Sequence, residues 1–137
     1  MSTRTLTLRI VSPEGTILET QAVSVQVPGE GGSFGVLPRH APLAALTDSG
    51  LLKARTPDGK ALEFLIHEGF AEVRNDVVTV LTRSAEDPAK IDLERAAQSA
   101  ERARERMRSQ AAEADNARAI AALRRALMRE KVARRRV

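Results

Sequence analysis

Glu86-Asp-Pro-Ala-Lys-Ile-Asp-Leu-Glu-Arg-Ala96 separates two unlike halves of this sequence. The eight glycines end at Gly69, the three phenylalanines at Phe70, and five of the six prolines at Pro57; Pro88, the sixth, sits inside the stretch. From Ala89 onward there is no Gly, Pro or aromatic residue, and fourteen positions are alanine. Asp87 followed by Pro88 reads as an N-cap and first helical position, because Pro lacks only an N–H that the first turn leaves unpaired anyway. The sequence therefore predicts two domains, 1–86 and 87–137, the first all-β and the second helical.

Before the boundary the apolar period is two. Thr5 to Val11 alternates as a half-buried strand does, and Ser12-Pro-Glu-Gly15 supplies a turn. Thr16 to Thr20 and the Val23, Val25, Val27 series give two more strands. Leu51–Arg55 and Leu62–Ile66 flank Pro57-Asp58-Gly59, while Phe70–Val73 and Val77–Leu81 flank Arg74-Asn75-Asp76; both read as hairpins. Short strands at this spacing predict a β-sandwich or flattened barrel. The stretch from Gly29 to Leu43 reads as a tight loop. It lacks the Gly-Lys-Ser/Thr of a phosphate loop, and a Gly-x-Gly-x-x-Gly pattern counted from Gly29 fails at Phe34. Pro38 and Pro42 bracket its Arg39-His40-Ala41 turn. His40 has no neighbouring Ser or Cys to activate, and His67 stands at a strand end, so both read as structural or interface histidines.

The chain has no cysteine, which excludes a disulfide framework and a thiolate metal site and suits a reducing compartment. Two distant histidines do not make a three-ligand zinc site without help from carboxylates. No apolar run approaches the ~20 residues of a membrane span, and Met1 to Thr5 leads straight into alternating sequence with no signal peptide in view. The net charge of +4 is unevenly spread: 1–86 carries eight Lys/Arg against ten Asp/Glu, and 87–137 carries fourteen against eight. A basic helical tail seeks a polyanion or an acidic protein surface, or is simply a solvated face.

Phe34-Gly-Val-Leu-Pro-Arg-His-Ala-Pro-Leu43, Gly69-Phe-Ala-Glu-Val73, Val77 to Leu81 and Ala85-Glu86 resemble the epsilon subunits of F-type ATP synthases. The resemblance continues through Ile91-Asp92-Leu-Glu-Arg95-Ala96, Asp115-x-x-Arg118-Ala119 and Ala122-Leu123-x-Arg125-Ala126, so it spans nearly the whole chain in order. Two departures are Arg39, where the family often has Gly, and the Arg-rich end Arg134-Arg-Arg136. The first should alter the turn's charge more than its course.

In the helical half, Ala96, Ala100, Ala103 and Met107 recur on one face from Lys90 to about Gln110. Glu101–Arg104 and Glu105–Arg108 are i,i+3 pairs worth ~0.2–0.5 kcal/mol each. Asp115 can cap a second helix to about Arg135, with a stripe of Ala117, Ile120, Leu123 or Arg124, Leu127 and Met128. The expectation is an antiparallel hairpin with arms of roughly 30 Å. Alanine specifies helix strongly but buries little, whereas each fully buried large aliphatic is worth ~1.5–3 kcal/mol. Helicity is thus well specified and docking weakly specified, the balance a two-state element needs.

The resemblance implies a non-catalytic central-stalk subunit of a proton-translocating enzyme, peripheral to the cytoplasmic face of a bacterial inner membrane. Its implied partners are the gamma subunit, the ring of c subunits and, when the hairpin extends, the alpha and beta subunits. Ser33, Phe34, Arg39 and His40 would lie on the loop facing the ring and stalk. Arg118, Arg124, Arg125, Arg129 and Lys131 would meet acidic segments of beta in an extended pose that blocks hydrolysis. No cofactor is required, but some members bind regulatory ATP, and the matching residues here are Glu86, Ile91, Asp92, Arg95, Ala96 and Arg129. Read without the resemblance, Asp92 serves equally as a helix cap with Arg95 as its i+3 partner. The alternative from another class is a small nucleic-acid-binding β-barrel with a basic tail. Against it stand a slightly negative barrel and the lack of an aromatic platform, with three Phe and no Trp or Tyr.

Overall fold

The structure, a computed structural model, describes residues 4–108 and 113–135. The chain divides into two compact units, Met1–Glu86 and Asp87–Val137. The first holds ten strands among the described residues: β1 (Leu6–Ser12), β2 (Gly15–Ala22), β3 (Ser24–Gly29), β4 (Gly32–Val36), β5 (Leu43–Thr47), β6 (Gly50–Arg55), β7 (Ala61–Ile66), β8 (Gly69–Arg74), β9 (Val77–Thr82) and β10 (Ala85–Glu86). They join in the order β10-β7-β6-β3-β5-β8-β9-β1-β2, with β4 paired to β3, and close nearly into a barrel. β1 runs parallel to β9; the other recorded pairs are antiparallel.

Alternation in sequence becomes alternation in burial. Leu6, Leu8 and Ile10 of β1 point inward with Val78 and Val80 of β9 and Ala71 and Val73 of β8. Ala22, Val25, Val27, Val36, Leu52, Ala54 and Ile66 complete the core, and Phe34 and Phe64 pack against it half-buried. The Asn75-Asp76 turn has positive φ at both residues, 52° and 59°, the backbone that two-residue hairpin loops require.

The Gly29–Leu43 stretch is not one loop. Gly29 and Gly32 pair across a hairpin between β3 and β4, and a second strand, β5, begins at Leu43. Ser33 and Phe34 therefore lie at the start of β4, and Arg39 and His40 beyond its far end. About 10 Å of strand separates Ser33 from Val36. The four do not form a single cluster.

In the second unit a 3₁₀ turn (Pro88–Lys90) precedes α1 (Leu93–Arg108) and α2 (Glu113–Arg134). Asp87 caps the turn, its carboxylate accepting from the Ala89 amide at 2.9 Å, but Ile91 is extended and the chain starts again. The cap of α1 is Asp92, whose Oδ1 accepts from the Arg95 amide at 3.2 Å. The helix thus begins five residues later than the Asp87-Pro88 signal implies. α2 begins at Glu113, two residues before Asp115, whose side chain lies outside the described residues, as do 109–112 and Arg136. The short connection and extensive packing make α1 and α2 an antiparallel hairpin.

Ala96, Ala100 and Ala103 are buried on α1, as their spacing predicts. On α2 the buried stripe is displaced by one residue from the expected one: Ala119, Ala126, Val132 and Ala133 are buried, while Ala117, Ile120 and Leu127 are exposed. An alanine series at 119, 122, 126 and 133 has the same helical spacing as the larger residues, and its smaller side chains admit closer packing. The predicted pairs on α1 form, with Arg104 3.6 Å from Glu101 and Arg108 2.6 Å from Glu105, and Arg108 also reaches Glu101 at 3.0 Å.

Candidate functional site

Three features of the described residues have chemistry to offer. The first is a row on the outer face of the sandwich. Leu46 pairs with Phe70, Phe70 with Leu81, and Leu81 with Val11, so four adjacent strands each place an apolar side chain in one line. Leu46, Phe70 and Leu81 are 58%, 36% and 47% exposed, although they lie in regular strands that bury their alternate neighbours. Contiguous exposed apolar area of this kind marks an interaction surface.

The second is the turn after β4. The His40 amide donates to the Leu37 carbonyl at 3.2 Å, which makes Leu37–His40 a β-turn with Pro38 and Arg39 at its centre. Arg39 has φ 68°. Its amide donates to Asp76 Oδ1 at 2.6 Å, and Arg4 lies 3.4 Å from Asp76 Oδ2. These bonds, the Arg39 amide foremost, hold the Asp76 carboxyl below its ordinary value. His40 Nδ1 donates to the Ala41 carbonyl at 2.6 Å, so the ring braces its own turn.

His67, by contrast, is fully buried. Its Nε2 donates to Glu86 at 3.1 Å, and with the proton there Nδ1 accepts from the Ser49 hydroxyl at 3.2 Å. Its backbone is held by the Thr82 and Thr47 hydroxyls. A Ser–His–Glu set has the residue types of an acyl-transfer triad, but a side chain with no exposed surface has no route to a substrate. The set ties the β5–β6 turn to β10. The spacing of Ser49, His67 and Glu86 gave no sign of it, since only the sheet register brings them together.

The third feature is the helical unit. Ile120, Arg124, Leu127 and Lys131, at i, i+4, i+7 and i+11, share one exposed face of α2, and Arg118 is also exposed. Arg125 and Arg129 are half-buried and engaged within the structure. The antiparallel hairpin returns the end of α2 to the start of α1. Ile91, Asp92, Arg95, Ala96 and Arg129 accordingly lie toward the same end of this unit, with Asp92 capping, Ala96 buried and Arg95 exposed. Glu86 belongs to the sandwich, where its carboxylate takes His67.

Residues 5–88 match the family described as ATP synthase, Delta/Epsilon chain, beta-sandwich domain. The chain is 42% identical over 130 residues to the ATP synthase epsilon chain of Desulfitobacterium hafniense (strain Y51), covering 95% of this chain and 97% of that one. The chain belongs to the ATP synthase epsilon-chain family. In this family the epsilon chain is a central-stalk subunit rather than a catalytic one. Among solved structures, it is similar to a chain of the Euglena gracilis mitochondrial ATP synthase OSCP/F1/c-ring assembly, with TM-score 0.80 and 26% identity over 93% of this chain and 80% of that one. A chain of the Tetrahymena thermophila mitochondrial ATP synthase central stalk and c-ring shares the fold, with TM-score 0.55 and 12% identity over 66% of this chain and 72% of that one. Membership in the epsilon family favours the rotary-enzyme reading of the sequence over the nucleic-acid one. No helix among the described residues is long and apolar enough to cross a membrane.

Proposed function

We propose that this epsilon chain is a rotor subunit of a proton-translocating ATP synthase. In this reading it helps couple ring rotation to ATP synthesis, and its hairpin restrains ATP hydrolysis. The observation that carries the regulatory part is the makeup of the helical unit. Its buried stripes are alanine with one valine, while its larger aliphatics Ile120 and Leu127 stand exposed beside Arg124 and Lys131. Each alanine contributes far less than the ~1.5–3 kcal/mol of a large buried aliphatic. Poses that trade these contacts for others then differ by only a few kcal/mol. The exposed face, apolar and cationic together, suits an acidic partner surface such as that of the beta subunit, with alpha alongside.

On the sandwich, the Leu46–Phe70–Leu81–Val11 row is the attachment face for the gamma subunit. The β3–β4 hairpin with Ser33 is the part turned to the c ring, and the Arg39–His40 turn is turned to the stalk. The complex holds the chain peripherally at the cytoplasmic face of the bacterial inner membrane. No acid, base or metal is asked of it, because torque passes through protein contacts. Regulatory ATP would be held within the helical unit by Arg95 and Arg129 through forked phosphate contacts, together with Ile91, Asp92 and Ala96. Calorimetry of the full chain with ATP, before and after Arg95→Ala, tests this; absence of heat at millimolar ATP removes the site.

Hydrolysis by reconstituted complexes carrying Arg124→Glu with Lys131→Glu tests the regulatory reading. Expected is a rise in ATP hydrolysis with synthesis little changed. Unaltered latency would contradict it.

A further inference from the structure

Arg39 occupies the third position of the Leu37–His40 turn, behind Pro38, with a φ of 68°. That position in a turn with Pro second and a left-handed third residue favours glycine, because any Cβ crowds the following carbonyl. The backbone is nevertheless held there, through the 2.6 Å bond from the Arg39 amide to Asp76. Asp76 is itself fixed with φ 59° in the β8–β9 turn, where its carbonyl accepts from the Thr7 amide at 2.8 Å. With the amide so used, the exposed guanidinium makes no hydrogen bond or ion pair among the described residues. The cation's charge helps hold the Asp76 carboxyl below its ordinary value, but its five donors stay exposed, and a strained residue that presents them to solvent is a sign of a contact made elsewhere.

We propose that Arg39 is a specificity-determining rim contact of the stalk-binding face, taking a carboxylate of the subunit that covers the Leu46–Phe70–Leu81–Val11 row, with Asp76 as its positioning residue. This rests on reading that row as the gamma-binding face. Asp76 joins β8 to β9, the two strands that carry Phe70 and Leu81, so Arg39 stands at the end of the same sheet. Four residues of strand from Phe70 to Arg74 span roughly 13 Å, and the Asn75-Asp76 turn follows directly. A standard interface buries about 800 Å² per partner, a patch some 30 Å across, so an apolar centre on the row places Arg39 near its edge. Charged residues are depleted from interface centres and belong at such rims. The fork geometry of guanidinium matches a carboxylate with two parallel donors.

The test is the association rate of the full-length chain with purified gamma over a salt series, with the melting temperature of each free variant measured in parallel. Arg39→Gly removes the cation and relaxes the turn; Arg39→Gln keeps the side chain's bulk without its charge. Both are expected to associate about five- to tenfold more slowly than wild type at low salt and to converge with it near 1 M salt. Arg39→Gly should melt no lower than wild type, and Asp76→Ala should slow association in the same direction. Leu46→Asp separates the two layers of the reasoning. If Leu46→Asp abolishes binding but both Arg39 variants associate like wild type, the Arg39 assignment falls and the gamma face stands. If Leu46→Asp binds normally, the face itself is wrong and the Arg39 assignment falls with it. If Arg39→Gln instead loses binding to phosphatidylglycerol vesicles and keeps its rate with gamma, the cation serves lipid and the assignment is overturned.

Discussion

Replacing Gly69 by alanine places a methyl group inside the backbone of the neighbouring strand. A Cβ there would lie 1.9 Å from the Leu81 carbonyl oxygen, 3.0 Å from its carbon and 3.1 Å from Thr82 Cα. All three are backbone atoms, so no side chain can swing aside. To restore a contact of 3.0 Å, β8 and β9 must part by about 1 Å where Gly69 pairs with Thr82. Overpacking of this kind costs ~1–3 kcal/mol, and a disrupted ladder bond adds ~0.5–1.5 kcal/mol. The expected loss is therefore about 2–4 kcal/mol, a large share of a typical 5–15 kcal/mol. At roughly 4–8 °C per kcal/mol for a domain of this size, the sandwich should melt at least about 8 °C lower. Scanning calorimetry and urea titration of the full chain measure this, with a reduced midpoint at unchanged slope. Thr82 Oγ1 accepts from the His67 amide, so that amide should also exchange faster. A variant melting within a degree of wild type would refute the close-crossing account of Gly69.

Other expectations follow from the same contacts. Asp92→Ala removes the cap of α1 and should cost ~1 kcal/mol of helix stability, read as lost ellipticity at 222 nm; Asp87→Ala, which affects only the 3₁₀ turn, should cost less. Asp76 has a lowered folded pKa, so its contribution is present above the unfolded value near 3.9 and is lost as pH falls through the folded value. Melting temperatures of wild type and Asp76→Asn should accordingly differ above about pH 4 and converge in stronger acid. His67→Leu leaves Ser49 and Glu86 without their imidazole partner and should destabilise by ~1–3 kcal/mol, whereas His67→Gln should recover part of the loss in the same melt.

Much of the sandwich was legible because its strands obey simple alternation and its hairpins carry turn residues with a mechanism. Gly59 at φ 86° and Asn75-Asp76 at positive φ are examples. β4 and β5 were hidden for a physical reason. β4 contains Gly32 and Gly35, which carry no side chain to alternate, and β5 is Leu-Ala-Ala-Leu-Thr, with Leu46 outward where a core pattern would have it inward. β10 is two residues long and exists through its register with Leu65 and Ile66. Two Asx caps in tandem, Asp87 and Asp92, made the start of α1 ambiguous, and the extended Ile91 between them resolves it. On α2 hydropathy favoured Ile120 and Leu127 as the buried face, while close helix packing selected the alanines. The outward pair then joins Arg124 and Lys131 in a face that hydropathy alone would have split. Of the candidate site residues, Arg39 could be singled out by its place behind Pro38, but its tie to Asp76 spans 37 residues and is a product of topology.

The most direct measurement of the central claim, that a lightly held helical lever restrains the motor, is ATP hydrolysis by the assembled enzyme containing either the full chain or one ending at Glu86. The account predicts faster hydrolysis with the shortened chain, with the sandwich still retained on gamma. Equal hydrolysis rates from the two assemblies, each with its sandwich bound, would contradict it.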